Sequence, residues 1–152
     1  EVEHARFVRA SLEISAFKQL VKAWDNESVT YQELDAAIQD ILRKQRFAQV
    51  QHDVHAFLKL DEAFHYTLLQ AAGNDLLVSV VYQMRGHINR LRYLMLKELS
   101  RIDELIEEHQ AIYAAVRRRD EAACEQVLSR HLSKLNVEFP AIKQLFPDYF
   151  TD

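Results

Sequence analysis

Four side chains that can coordinate a metal lie on the predicted apolar faces of three helices. Asp61 and His65 are four residues apart, so their side chains are neighbours on one helix face. His109 and His131 each lie in the middle of the apolar stripe of a later helix. A carboxylate is rarely buried without a partner, because removing an ion from water costs several kcal/mol. One divalent ion would satisfy all four side chains together.

The ligand types indicate which ion this would be. Neutral imidazole and carboxylate oxygen suit divalent zinc, which is favoured, with nickel, manganese, cobalt or iron as alternatives. Four protein ligands would leave room for the carboxylate of a bound acid. The spacing alone leaves a second interpretation open, since a histidine on an apolar face is usually a hydrogen-bonded core residue. The three faces would then meet in a buried polar network without a metal.

Hydrophobic periodicity predicts six helices that position these side chains. They span about residues 2–24, 31–49, 53–72, 75–99, 101–118 and 121–139. In the first helix the predicted buried stripe is Ala5, Val8, Leu12, Ala16 and Leu20. Capping residues and helix breakers set the expected ends: Thr30 with Glu33, Gly73, Asn74, Ser100 with Asp103, Asp120 and Pro140.

The composition favours an all-α protein with one domain. The chain has 152 residues, of which 49% are apolar, enough for one packed core. It contains two glycines and two prolines, too few for the many turns of an all-β fold. We expect a single all-α domain over residues 1–152.

The net charge and the cysteine content limit what the protein can bind and the cellular compartment it suits. The net charge of −4 does not suit a chain that grips nucleic-acid phosphates by itself. No apolar run approaches the ~20 residues of a membrane span, and no signal peptide opens the sequence, so we expect no membrane contact. Cys124 is the single cysteine, which excludes an internal disulfide and fits the reducing cytoplasm.

Several short segments of the chain form a recognisable set. The main ones are Leu-Asp-Glu-Ala-Phe-His at 60–65 and Ala-Ala-Gly-Asn at 71–74. Weaker ones are Arg-Ala-Ser-Leu-Glu at 9–13, Glu-His at 108–109, Asp120 and His-Leu at 131–132. In order and spacing, from the first helix to the sixth, they resemble the signature of the FCD domain, the effector-binding half of GntR-type bacterial transcription regulators.

The resemblance implies an antiparallel bundle of six to seven helices around a central metal and ligand cavity. It implies that an aspartate and three histidines hold the metal, matching Asp61, His65, His109 and His131. The effector would be a small organic acid whose carboxylate joins the metal, and the protein would be a homodimer. Such regulators bind DNA through an N-terminal winged helix-turn-helix, which we expect to be absent from this chain.

Five further residues are candidates for contacting the effector. Arg9 resembles the family's arginine of the first helix, which faces the cavity and would clamp a carboxylate. A surface arginine bordering the core is the alternative. Arg90 and Arg92 are further carboxylate-binding candidates, and His87 is a candidate to line a cavity. Asn74 belongs to the family signature, although helix capping also explains it.

Two other functions compete with effector sensing, and neither is favoured. Glu62 and His65 form the Glu-x-x-His motif of di-iron bundles, but the chain has one internal copy where such a site needs two. In a mononuclear metalloenzyme Glu62 would be the nearest base, yet it lies about 100° round the helix from Asp61. The third possibility is a structural dimerisation bundle whose buried polar residues serve only fold specificity. We expect no enzyme.

Overall fold

The structure is a computed structural model that describes residues 2–98 and 101–150. These residues form no strand, which confirms the all-α fold, and none of their helices is long and apolar enough to span a bilayer. The helices are α1 (Val2–Ala23), α2 (Val29–Val50), α3 (Val54–Ala71), α4 (Asp75–Glu98), α5 (Ile102–Arg117), α6 (Glu121–Leu145) and a short 3₁₀-helix, η1 (Pro147–Phe150).

Helix α1 is the centre of the bundle. It packs against α3, α4, α5 and α6, while α2 packs against α3 and α5. Short connections join α2 to α3, α3 to α4 and α5 to α6, and the helices of each pair pack on one another. The three helices that carry the candidate metal ligands therefore all contact α1.

A polar centre lies between two apolar clusters of the core. Along α3, Asp61 lies between Phe57 of one cluster and Phe64 of the other. Along α5, His109 lies between Ile106 and Ile112, which belong to the same two clusters. All four apolar side chains are fully buried. The apolar packing therefore shields the polar centre from water along the helices that carry it.

Side-chain caps start three of the helices where the sequence indicates. Asp53 accepts a hydrogen bond from the Ala56 N–H, Asn74 from Leu77 and Asp120 from Ala123, each at 3.0 Å. Gly73 has a φ of 85°, the left-handed conformation that follows a helix end. The predicted starts of α3, α4 and α6 and the predicted end of α3 depend on these local interactions and are confirmed.

The predicted capping box of Thr30 and Glu33 is wrong. Helix α2 begins two residues earlier than predicted, at Val29, with Ser28 as its N-cap and no side-chain capping bond. A turn closed by Asp25, which accepts from the Glu27 and Ser28 N–H groups, precedes it and sets the helix start. At α5 the N-cap is Arg101; Ser100, which we predicted to cap it, lies outside the described residues.

The predicted end of the sixth helix at Pro140 is also wrong, because α6 continues to Leu145. Proline inside a helix costs about 3 kcal/mol through its missing N–H and its ring. Ile142 is fully buried beyond it, in a cluster with Ile88, Leu91 and Met95. Burying such a side chain contributes about 1.5–3 kcal/mol, so packing on α4 offsets most of the proline's cost.

Candidate metal centre

The four candidate ligands meet at one point inside the bundle. Asp61 and His65 come from α3, His109 from α5 and His131 from α6. All four residues are buried, and one ligand atom from each lies within 4.8 Å of the others. The arrangement follows from the helical register, which places each residue on the buried face of its helix.

The inward atoms are three imidazole Nε2 atoms and one carboxylate oxygen. Asp61 Oδ1 lies 2.9 Å from His109 Nε2 and 3.6 Å from His65 Nε2. His65 Nε2 lies 3.2 Å from His131 Nε2. The same ring nitrogen of all three histidines therefore points to the common centre.

The outward nitrogen of each ring is held by a side-chain oxygen. Glu13 Oε1 lies 2.8 Å from His65 Nδ1, and Glu108 Oε1 lies 2.8 Å from His131 Nδ1. Gln45 Oε1 lies 2.9 Å from His109 Nδ1. Since these oxygens accept hydrogen bonds, each neutral ring carries its proton on Nδ1. Such contacts are typical partners of metal-bound histidines, whose orientation they fix.

The amide of Gln45 is oriented by a second hydrogen bond. Its Nε2 donates to the carbonyl of Leu60 at 3.1 Å, one residue before Asp61. The opposite end of the amide, the oxygen, must then face His109. This small network assigns the proton of His109 to Nδ1 and leaves its Nε2 with a free lone pair.

With these tautomers, four lone pairs converge with no proton between them. His109 Nε2 and Asp61 Oδ1 are buried and have no hydrogen-bond partner, although they lie close together. Buried acceptors that face one another repel, and leaving such atoms unpaired costs about 1–3 kcal/mol each. A cation at their centre removes both penalties. The donor set fits a divalent metal ion.

The protonation states agree with a metal-ligating role. Burial lowers the pKa of His65 to about 3 and that of His109 to about 4. Both rings are therefore neutral at neutral pH, the form that binds metals. Burial would raise the pKa of the Asp61 carboxyl, but the positive charges of Arg92 and Arg85 lower it well below its usual value. Asp61 is ionised.

Arg85, which the sequence did not indicate, joins the two buried carboxylates. Its guanidinium lies 2.8 Å from Asp61 Oδ2 and 3.5 Å from Glu13 Oε1. Arg92 also contacts Asp61 Oδ2, and Arg9 Nε lies 3.4 Å from Glu13 Oε2. Burial lowers the pKa of Arg9 to about 9. Three guanidinium groups thus contact the two buried carboxylates, Asp61 and Glu13.

A cavity of about 50 Å³ opens beside the candidate ligands. About 10–15 Å³ of such space holds one water, so several water-sized groups fit. Three arginines and one lysine contribute to its wall, with one glutamate. The lining residues are Arg9, His65, Arg85, Arg92, Met95, Leu96, Leu105, His131, Leu132, Lys134 and Glu138.

The remaining predicted effector contacts lie elsewhere. His87 is exposed on α4, and Arg90 is exposed with its guanidinium 4.2 Å from the centre of the Tyr149 ring. Neither residue lines the cavity, because each lies about 100° or more round the helix from Ile88 and Arg92. Asn74 is exposed and caps α4. Of the five predicted effector contacts, Arg9 and Arg92 face the cavity.

Sequence reasoning missed four residues of the centre: Glu13, Gln45, Arg85 and Glu108. The buried face of α1 includes Arg9 and Glu13, whereas Val8 and Leu12 of the predicted stripe are half-buried. Arg85 likewise continues the buried line of Val78, Val81 and Ile88 on α4. The helical register contained this signal, but a charged residue on an apolar face is normally expected to reach solvent.

Unsatisfied buried polar atoms concentrate at this centre. Nine buried side-chain nitrogen or oxygen atoms of the described chain have no hydrogen-bond partner, and six belong to the candidate centre. They come from Arg9, Glu13, Asp61, Arg85, Arg92 and His109. Native proteins leave few such atoms, so their concentration at one place makes this centre a candidate binding site.

The chain is similar to known transcription regulators along nearly its whole length. The model of the FCD domain matches residues 5–134. The HTH-type transcriptional repressor RspR of Escherichia coli (strain K12) is 26% identical over 152 residues, covering 100% of this chain and 64% of the repressor. An uncharacterized HTH-type regulator in an unstable DNA locus of Streptomyces ambofaciens is 27% identical, covering 98% of this chain and 60% of the regulator.

The fold has a counterpart among solved structures. E. coli McbR/YncC superposes with a TM-score of 0.77 at 18% sequence identity, covering 95% of this chain and 65% of that protein. The likeness shows that the two share a fold. This chain spans less than two thirds of the length of these similar proteins.

Replacing Arg85 tests whether it holds the buried carboxylates. Arg85→Met should lower the free energy of unfolding by about 3 kcal/mol, because it leaves two buried acids with less compensation. The measurement is urea unfolding of the metal-stripped protein. Arg90→Met, on the same helix but exposed, should cost less than about 1 kcal/mol. Equal losses for the two variants would contradict the role given to Arg85.

Proposed function

The chain belongs to the FCD domain family, and on that premise we propose that it is the effector-sensing domain of a GntR-type transcription regulator, binding a divalent metal and a small organic acid. One observation carries the proposal: three Nε2 atoms and a carboxylate oxygen converge with no proton between them. The similar proteins are named as transcription regulators, which favours regulation over catalysis.

Asp61, His65, His109 and His131 would hold the metal, with zinc favoured and nickel, manganese, cobalt or iron as alternatives. The ion would supply positive charge and an attachment point for a carboxylate oxygen. Glu13, Gln45 and Glu108 would hold the three imidazoles in the orientation and tautomer that binding needs.

The cavity wall supports an acid as the effector. Arg9 faces the cavity and is paired with Glu13 through its Nε at 3.4 Å, without a well-formed hydrogen bond. Its guanidinium would clamp a carboxylate, since a bidentate contact fixes both position and orientation. Arg92 lines the same cavity and is a second contact.

Effector binding would act on how the helices pack. Polar side chains of α1, α3, α4 and α6 line the cavity, so an acid that binds there would alter contacts between these helices. In the whole regulator such a change would reposition the DNA-binding part. Coupling of this kind is typically about 1–3 kcal/mol, or roughly 5- to 150-fold in affinity.

The two competing functions have less support. Glu62, the base that a mononuclear metalloenzyme would need, accepts a hydrogen bond from Asn89 and lines a groove between α3 and α4. It is therefore not directed at the candidate centre. A purely structural dimerisation bundle would not need a buried cluster of unsatisfied atoms beside a cavity. The expected homodimer stays a prediction.

Metal analysis tests the candidate centre. The purified domain should contain one divalent ion per chain, and His109→Ala should lose most of it because an inward Nε2 is removed. The melting temperature of the metal-loaded protein should fall, since a ligand that binds the native state stabilises it. His87→Ala, which changes an exposed histidine, should keep its metal. Full occupancy in His109→Ala would exclude that residue as a ligand.

Calorimetric titration tests the effector class. Mono-, di- and tricarboxylates should bind the metal-loaded protein, bind more weakly after metal removal, and bind more weakly to Arg9→Ala, which lacks the clamp. Arg90→Ala is the matched control, since that arginine lies outside the cavity. If the acids bind with equal affinity to the metal-loaded and the metal-stripped protein, the ion has only a structural role.

DNA binding by this chain alone should be absent. Its net charge is −4, and we propose that the regulator reads DNA through a helix-turn-helix segment distinct from the FCD region. A gel-shift assay at near-physiological salt should show no specific retardation of any promoter fragment. A specific shift would place DNA recognition within these helices.

A further inference from the structure

The groove between α3 and α4 is a second cavity, with a volume of about 370 Å³. Small-molecule sites typically measure about 300–1,000 Å³, so the groove has the size of a ligand site. Among the described residues, Arg85 alone lines both this groove and the cavity beside the candidate metal ligands. Its terminal nitrogens pair with Asp61 and Glu13, so its charge is compensated inside the bundle. The groove is therefore a neighbour of the candidate metal centre and not a part of it.

One end of the groove is apolar and aromatic. The buried side chains of Leu69, Val78 and Val81 line it. The rings of Tyr66 and Tyr82 lie 6.2 Å apart at an angle of 65°, and these residues are 40% and 65% exposed. Aromatic rings bind other rings through edge-to-face or offset contacts. This end of the groove therefore suits a flat aromatic ring.

Gly86 leaves space in the wall that α4 contributes to the groove. A Cβ at this position would meet no atom within 4 Å, so the packing of the described chain does not require a glycine there. Glycine inside a helix is less favourable than alanine. Its position in the wall lets a bound group approach the backbone of α4 closely.

The other end of the groove presents a carboxylate without an ion pair. Glu62 is half-buried, and the side-chain amide of Asn89 donates a hydrogen bond to its Oε1. No lysine, arginine or histidine nitrogen of the described residues lies within 4.0 Å of this carboxylate. Lys59 also lines the groove, but it is exposed and compensates the charge little. Asn89 Oδ1 is a buried acceptor without a partner, so this end favours a cationic donor.

We propose that the groove binds a small aromatic amine, with its ring against Tyr66 and Tyr82 and its ammonium group at Glu62. Glu62 and Tyr66 are four residues apart, about 6 Å along the helix axis. A two-carbon linker between a ring and an ammonium group spans a similar distance. The ammonium would donate a charge-assisted hydrogen bond to the carboxylate. The ring would bury apolar surface against the aliphatic side chains of the groove.

Calorimetric titration of matched probes into the metal-loaded and the metal-stripped domain tests this proposal. The probes are phenethylamine, phenethyl alcohol, which has a hydroxyl in place of the ammonium, and ethylamine, which lacks the ring. Phenethylamine should bind both forms of the protein, about ten-fold or more tightly than either analogue, because each analogue loses one of the two contacts.

Two variants and a control locate the site. Glu62→Gln removes the charge with little change in shape, so the preference for the amine over the alcohol should fall towards one. Gly86→Leu fills the groove and should weaken phenethylamine binding about ten-fold or more. Glu107→Gln changes an exposed glutamate of α5 and should keep both the affinity and the preference.

Four outcomes would overturn the proposal, and none of them bears on the acid effector. Phenethylamine that binds only the metal-loaded protein would be a metal ligand. Equal affinity for the amine and the alcohol would mean that the groove takes neutral rings, and no binding of phenethylamine would exclude the site. Loss of self-association in Gly86→Leu, measured by sedimentation, without amine binding to the unchanged protein would assign the groove to an interface between copies. Should Gly86→Leu fail to fold, Glu62→Gln with the amine and the alcohol still decides.

Discussion

The burial of the Asp61 carboxylate is the constraint on which the rest of the centre depends. One of its oxygens faces the imidazoles of His65 and His109, and the other accepts from two arginines of α4. An ionised carboxylate at 0% exposure is tolerated only when both oxygens have compensating partners. Helix α4 supplies the partners of one oxygen. The other oxygen, Oδ1, has no hydrogen-bond partner, and a cation beside it would compensate its charge.

The same constraint explains why polar side chains extend so far from the centre. A histidine can offer Nε2 to a metal only if its proton stays on Nδ1, and this requires an acceptor on the outer side of each ring. Glu13, Gln45 and Glu108 fill that role from three different helices. Because these acceptors lie on rigid helices rather than loops, the directions of the rings are held by the packing of the bundle.

A polar centre of this kind lowers the stability of the core that contains it. Buried ion pairs commonly contribute less than the apolar residues that could replace them, so their presence favours a functional explanation. Here the unsatisfied atoms cluster beside the cavity, not along the apolar packing of Phe64, Ile106 and Ile112. Binding energy from a metal and an acid would offset the cost. A domain that gains stability on binding is suited to report that binding to the rest of a regulator.

The sequence by itself determined the helical class, most of the helix ends, and the placement of Asp61, His65, His109 and His131 on buried faces. These features are local, since a period of 3.6 residues and short-range caps decide them. Only the tertiary structure decided that Arg85 is buried, that Arg92 faces the cavity while Arg90 does not, and that α6 continues past Pro140. Each depends on a partner helix far away in the chain: Arg85 is paired with Glu13, and Ile142 beyond the proline packs against α4. A charged side chain stays buried only where an oppositely charged group lies beside it. Helical periodicity does not show which group on another helix that will be.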